Sequence, residues 1–205
     1  MYKRQVYPTA LTHEICDRAH DFGLKVHLDG ARVFNAAVYL NESVAEMTRK
    51  FDSVQFCFSK GLGAPVGSMV VGSNDLIERC RVIRKMLGGG MRQVGVLAAA
   101  ARVALEEGPK RLHIDHENAQ VLAQGLARIR GMQIQPEKVQ TNIVIYDVGA
   151  SGLTSAEFLT RLAQRRVLGG PVDQRRVRMV THLDVDRTDI DAALGIIAEI
   201  AGSGF

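Results

Sequence analysis

The sequence predicts an α/β fold built on a mainly parallel sheet, followed by a smaller α+β unit. Three observations carry that prediction. Helical and strand patterns alternate through the first half of the chain, the order of elements that a parallel sheet requires. Two of the expected strands end in chemistry-bearing residues, Asp29 and Lys60, and ligands in such sheets sit beyond the carboxyl ends of strands. After Gly108-Pro109 the alternation gives way to short strands between helices. The boundary is placed there, with residues 1–108 in the larger domain and 109–205 in the smaller.

The elements follow in order. Thr12 is placed to cap a helix with apolar positions Ile15, Cys16, Ala19 and Phe22, and Gly23 stops it. Leu24 to Asp29 reads as a strand closed by the turn residue Gly30. Ala31 to Leu40 is either helical or looped, and Val44 to Phe51 is a short amphipathic helix. Val54 to Phe58, rich in β-formers, is a buried strand leading into Ser59-Lys60, and Gly67 to Gly72 is the next strand. Ser73 or Asn74 caps a helix with Asp75 in its first turn and Lys85 in its last, as the helix dipole prefers. Gly88-Gly89-Gly90 breaks it. An alanine-rich helix then runs from Gln93 to Glu107 and is expected to stop at Gly108-Pro109. Beyond it come a helix from Arg111 to Arg130 and strands at Met132–Gln135 and Asn142–Asp147. Thr154 and Glu157 form a capping-box pair opening a helix to Val167. Val177 to Leu183 is a strand, and Thr188 to Ala201 is the last helix.

The totals narrow the function. The 205 residues are 46% apolar and 23% charged, ordinary for a soluble globular protein with a real core. No apolar run approaches a membrane span and no charged-then-apolar leader opens the chain, so a cytoplasmic protein without a membrane partner is expected. The formal charge of +4 is scattered along helices and aromatics are only 5%. Nucleic-acid binding calls instead for a basic patch with stacking rings. Cys16, Cys57 and Cys80 are odd in number and widely spaced, which fits reduced thiols, and no metal is expected. Met1 to Gln5 carry no structural pattern before the first helix, so an open reading frame truncated at its start is expected.

Asp29, Arg32 and Lys60 form the candidate constellation. A carboxylate holds a proton on a pyridine nitrogen, a guanidinium bonds the ring's phenolic oxygen, and a lysine amine attaches to an aldehyde. Those are the protein's tasks in pyridoxal phosphate chemistry. Glycines around Lys60 permit close approach of a flat ligand, and a lysine shielded from water becomes a better nucleophile. Each residue also has a plainer reading: Lys60 as a solvated loop lysine, Asp29 as a turn-forming acid, Arg32 as a surface arginine. Gly88-Gly89-Gly90 could cradle a phosphate, but no Gly-Lys-Ser/Thr follows, so a tight turn is the better account. His113 and His116 are spaced like metal ligands on a helix but lack a third partner, which favours a solvated face.

The blocks His27-Leu28-Asp29-Gly30-Ala31-Arg32-Val33-Phe34-Asn35-Ala36 and Phe58-Ser59-Lys60-Gly61-Leu62-Gly63-Ala64-Pro65-Val66-Gly67-Ser68 resemble the low-specificity L-threonine aldolases. So do Arg84-Lys85-Met86-Leu87-Gly88-Gly89-Gly90-Met91-Arg92-Gln93 and Val177-Arg178-Met179-Val180-Thr181-His182-Leu183-Asp184-Val185. The resemblance implies a partial fold-type-I pyridoxal phosphate-dependent transferase fold (aspartate aminotransferase-like large domain, smaller C-terminal domain). It implies Lys60 as the lysine that attaches to the cofactor, Asp29 at the pyridinium nitrogen, and Arg32 at the ring oxygen. Arg178 would bind the substrate carboxylate. Lys85 and Arg92 match positions near the cofactor phosphate of a neighbouring subunit, in a homotetramer with shared active sites.

The implied reaction cleaves L-threonine or L-allo-threonine between Cα and Cβ to glycine and acetaldehyde. Asp29 would act on developing charge, so its loss should reduce turnover more than binding. The family's N-terminal part, which supplies the ring-stacking histidine and the phosphate loop, has no counterpart here. The chain alone is therefore expected to hold cofactor poorly and turn over little. Another fold-type-I β-eliminating lyase, or a non-catalytic remnant of the fold, are the competing readings.

Overall fold

A computed structural model describes residues 5–202 of the chain. Residues 1–4, on which most of the truncated-start expectation falls, lie outside the described residues, as do 203–205. The elements run α1 (Thr9–Asp21), β1 (His27–Asp29), α2 (Val33–Leu40), α3 (Val44–Thr48), β2 (Ser53–Cys57), β3 (Ser68–Gly72), α4 (Asn74–Met86), α5 (Gly95–Leu126), β4 (Ile143–Asp147), α6 (Ser155–Gln164), β5 (Gly170–Pro171), β6 (Arg176–Val180) and α7 (Arg187–Ile200). The chain divides into two compact units at Leu112/His113, past Gly108 and inside α5.

In the unit Val6–Leu112 the sheet order is β1-β2-β3. β1 pairs with β2 in parallel, Asp29 opposite Gln55, but β2 pairs with β3 antiparallel. The expectation of a mainly parallel sheet fails here for a simple reason. No helix separates β2 from β3, and a parallel return needs a crossover of a dozen or more residues. α1 begins at Thr9, with Pro8 as its N-cap residue and no side-chain cap, so Thr12 sits one turn inside rather than capping. Gly23 adopts φ +70 and ends that helix as predicted. One face of β2 is apolar: Phe56 stacks edge-on to Phe34 of α2 at 5.4 Å and to Phe58 at 5.1 Å. Around them Phe58, Leu62, Ala64, Ala104 and Leu112 form the buried cluster. The opposite face carries His27, Asp29, Ser53, Gln55 and Cys57, because side chains alternate along a strand.

The expected helix break at Gly108-Pro109 does not occur, and α5 continues through Pro109. A proline in a helix interior costs about 3 kcal/mol. Ala104 and Leu112, buried in the same cluster on either side of it, supply packing that offsets the cost. Gly108 serves another purpose: a Cβ there would stand 2.8 Å from the Leu62 carbonyl oxygen and 2.9 Å from Leu62 Cα. The glycine lets the helix and the loop after Lys60 touch backbone to backbone.

The unit from His113 onward holds an antiparallel sheet of order β4-β6-β5. Tyr146, Phe158, Leu122, Leu126, Leu162, Val177 and Ile197 are among its buried side chains. α6 opens on the predicted box, with Glu157 N–H donating to Thr154 Oγ1 and Thr154 N–H donating to Glu157 Oε2. α7 opens on a second box, Asp186 with Asp189. The strand expected at Met132–Gln135 shrinks to one bridge, Gln133 with Asp147, and β5 was not anticipated.

Candidate active site

Asp29 is the last residue of β1, and the chain turns at once. Gly30 N–H donates to the Gln55 carbonyl at 2.8 Å, and Val33 N–H donates back to the Gly30 carbonyl at 2.7 Å. A Cβ at Gly30 would lie 3.0 Å from that Gln55 oxygen, so glycine permits the close pinning of turn to strand. Arg32 is the N-cap residue of α2, and Val33 after it is buried. Asp29 and Arg32 therefore flank a two-residue turn held rigidly against β2.

The loop after β2 is anchored just as closely. Phe58 N–H and Ser59 N–H both donate to the Gly67 carbonyl, at 3.0 and 3.3 Å, and Ala64 N–H donates to the Phe58 carbonyl at 3.0 Å. Phe58, Gly61, Leu62 and Ala64 are buried, whereas Ser59, Lys60 and Gly63 are exposed. Gly61 has no spare room, since its Cβ would come within 2.6 Å of Asn35 Oδ1. The anchors fix the backbone and turn the Lys60 side chain outward. The shielding from water expected for this lysine is not provided by the described residues.

Asp29 lies on the sheet face that carries Gln55 and Cys57, and Lys60 follows the end of β2 by three residues. Asp29 faces Gln55 across the ladder, and Gln55 Nε2 donates to Cys57 Sγ at 3.2 Å. Ser68 Oγ, opposite Cys57 on β3, donates to the same sulfur at 3.3 Å. Burial raises the Cys57 thiol pKa, but Ser68, Gln55 and Lys60 together outweigh burial and bring it below its ordinary value. Gln55, Cys57 and Ser68 escaped the sequence reading. Strand alternation from Asp29's partner would have found the first two.

Lys85 lies in the last turn of α4 and Arg92 in the segment after it, both exposed. No hydrogen bond or ion pair joins either to Asp29 or Lys60 among the described residues. Gly88, at φ +78, makes the tight turn between them. Arg178 belongs to the other unit, exposed on β6 between buried Val177 and Met179. Among the described residues, Asp29, Lys60, Lys85, Arg92 and Arg178 form no ion pair. Asp52, by contrast, accepts hydrogen bonds from Lys25 Nζ at 2.8 Å, Val26 N–H at 2.9 Å and His20 Nε2 at 2.8 Å. His116 has its pKa lowered to about 4 by burial and then by the charge of His113. No group of three potential metal ligands occurs among the described residues.

The chain carries a parallel strand pair followed by an acid–turn–arginine segment and a glycine-bounded lysine loop. It belongs to the beta-eliminating lyases, whose profile matches residues 4–150. It is 42% identical over 184 residues to low-specificity L-threonine aldolase 1 of Arabidopsis thaliana, covering 89% of this chain and 51% of that protein. It is 39% identical over 186 residues to the low specificity L-threonine aldolase of Escherichia coli strain K12, covering 91% and 54%. The chain thus spans about half the length of the curated relatives it matches. In three dimensions it resembles a putative aromatic amino acid beta-eliminating lyase/threonine aldolase from Exiguobacterium sp. 255-15. The TM-score is 0.77 at 22% identity, covering 95% of this chain and 58% of that one. The fold is the fold-type-I one, over the portion the chain spans.

Proposed function

We propose that this chain is part of a pyridoxal phosphate-dependent carbon–carbon lyase that cleaves L-threonine or L-allo-threonine to glycine and acetaldehyde. The observation that supports the reading is the delivery of Asp29 and Lys60 to neighbouring strand ends, Asp29 closing β1 and Lys60 in the loop after its partner β2, with Arg32 one turn from Asp29. The donor set fits the ring: one acceptor for a ring N–H, one donor for a ring oxygen and one primary amine for an aldehyde. When bound, pyridoxal phosphate supplies an electron sink for the pair left on Cα as the Cα–Cβ bond breaks. Asp29 holds the proton at the ring nitrogen, and Arg32 fixes the ring's rotation through its oxygen. Lys60 is the point of attachment. Arg178, exposed on β6 of the other unit, carries the planar two-pronged donor that suits a substrate carboxylate.

Lys85 and Arg92, exposed and outside any ion pair, suit an anionic group brought by another subunit in a homo-oligomer, a tetramer by the family resemblance. The free thiols Cys16, Cys57 and Cys80 support a reducing, cytoplasmic setting. The test is to incubate the chain with pyridoxal phosphate, reduce with borohydride and map the modified peptide. Label on Lys60, lost in Lys60→Ala, is expected, and label spread over other lysines or none would overturn the reading. Acetaldehyde, ammonia and phenol released from a substrate panel then fix the reaction.

A further inference from the structure

Asn35 has no task in the proposed reaction, yet this α2 residue is buried to 2% exposure. A buried amide is hydrogen-bonded as a rule, and Asn35 is engaged in polar contact. Its oxygen lies against the loop that carries Lys60: a Cβ on Gly61 would stand 2.6 Å from Asn35 Oδ1 and 3.3 Å from Asn35 Cγ. Gly63 and Gly67 in the same loop take positive φ, at +85° and +121°, and Gly61 does not. The glycine at position 61 is therefore needed for space, and Asn35 fills that space. We infer that Asn35 is a positioning residue for Lys60: its buried amide, seated on the Gly61 backbone, fixes the turn that starts at Lys60 against the helix that follows Arg32. The inference rests on the reading of Lys60 as the residue that attaches to the cofactor.

α2 and α5 both reach Gly61. α2 brings Asn35, and α5 brings the fully buried Leu112, whose Cδ2 would stand 3.0 Å from the same added carbon. A methyl group excludes water but cannot hold a peptide in one orientation, whereas an amide offers both donor and acceptor. Inside the loop, Gly63 N–H donates to the Lys60 carbonyl at 3.0 Å and Ala64 N–H to the Phe58 carbonyl at 3.0 Å. Those bonds shape the turn but tie it only to itself and to the end of β2. Asn35 ties it to α2, whose N-cap residue is Arg32, so one short helix locates both the arginine and the lysine turn. The need for such a tie is kinetic, since a misplacement of about 1 Å at a reacting group can cost on the order of 100-fold in rate.

The test reads Lys60 directly. The chain is incubated with pyridoxal phosphate and trapped with borohydride at short times, and label on Lys60 is divided by label on Lys138, an exposed lysine of the other unit. Urea unfolding checks that each variant is folded under those conditions. Asn35→Ala should lower the ratio at least about threefold, and hydrogen exchange at the Gly63 amide should quicken by a similar factor. Gly61→Ala, which presses on the amide from the loop side, should lower the ratio comparably in the parent. It should have no further effect once Asn35→Ala has cleared the 2.6 Å approach. A core amide of purely structural worth would lower the urea midpoint and leave the ratio in folded protein alone. An unchanged ratio in folded Asn35→Ala, or a Gly61→Ala effect equal in both backgrounds, overturns the inference. Should Asn35→Ala not fold, Gly61→Ala alone decides, and an unchanged ratio there overturns it. If Lys60 takes no label in the parent, the cofactor reading fails and exchange at Gly63 decides the rest: quickening in Asn35→Ala upholds the restraint, and no change overturns it.

Discussion

Replacing Gly108 by alanine sets two effects of opposite sign against each other. In an unencumbered helix interior, alanine is favoured over glycine by about 1 kcal/mol. At position 108 the added carbon would sit 2.8 Å from the Leu62 carbonyl oxygen and 2.9 Å from Leu62 Cα. Both neighbours are backbone, so no rotamer change relieves them. Either α5 or the loop must retreat by roughly half an ångström, and overpacking of this kind costs about 1–3 kcal/mol. The clash is at the severe end, so a net loss of about 1–2 kcal/mol is expected. Gly195 in α7 is the control: a Cβ there meets nothing within 4 Å, so Gly195→Ala should gain about 0.5–1 kcal/mol. Urea unfolding followed by circular dichroism reads both. A Gly108→Ala protein as stable as the parent, or more so, would refute the reasoning.

Two further expectations concern the other unit. His116 is held largely uncharged by burial, with a native pKa of about 4, whereas the unfolded chain takes up its proton near pH 6.5. The unfolded state therefore binds more protons between those values, and stability falls as pH drops from about 6.5 toward 4. His116→Gln should flatten that part of the stability profile, and an NMR titration of His116 with a midpoint near 6.5 would contradict it. Thr154→Ala removes half of the α6 capping box and should cost about 1 kcal/mol of stability, checked by the shift in urea midpoint. No shift would show that the box contributes nothing net.

What the sequence disclosed was local in origin. Thr154 with Glu157, Ser73 before α4 and the positive-φ Gly23 and Gly88 are legible because cap and stop chemistry depends on neighbours a few residues away. Asp29 and Lys60 were legible as strand ends followed by glycine. What escaped was settled by distant partners. Gly108-Pro109 reads as a stop in one dimension, yet Leu62, far off in sequence, explains the glycine, and Ala104 and Leu112 offset the proline. The antiparallel sense of β3 followed from loop length, which motif reading did not weigh. Gln55, Cys57 and Ser68 gain meaning only once ladder register sets them beside one another.

α4 stands apart from the other long helices in that none of its residues is buried. A free helix of that length is marginal in water. Its own supports are few: the Ser73 cap, the Glu78–Arg81 pair and the basic last turn. Surface supports of that kind contribute little each, so among the described residues α4 is held chiefly by the half-buried Leu76, Ile77 and Cys80. The basic residues Arg84 and Lys85 thus ride on the lightly packed last turn of α4, and any anion they grip would also serve to keep their helix wound.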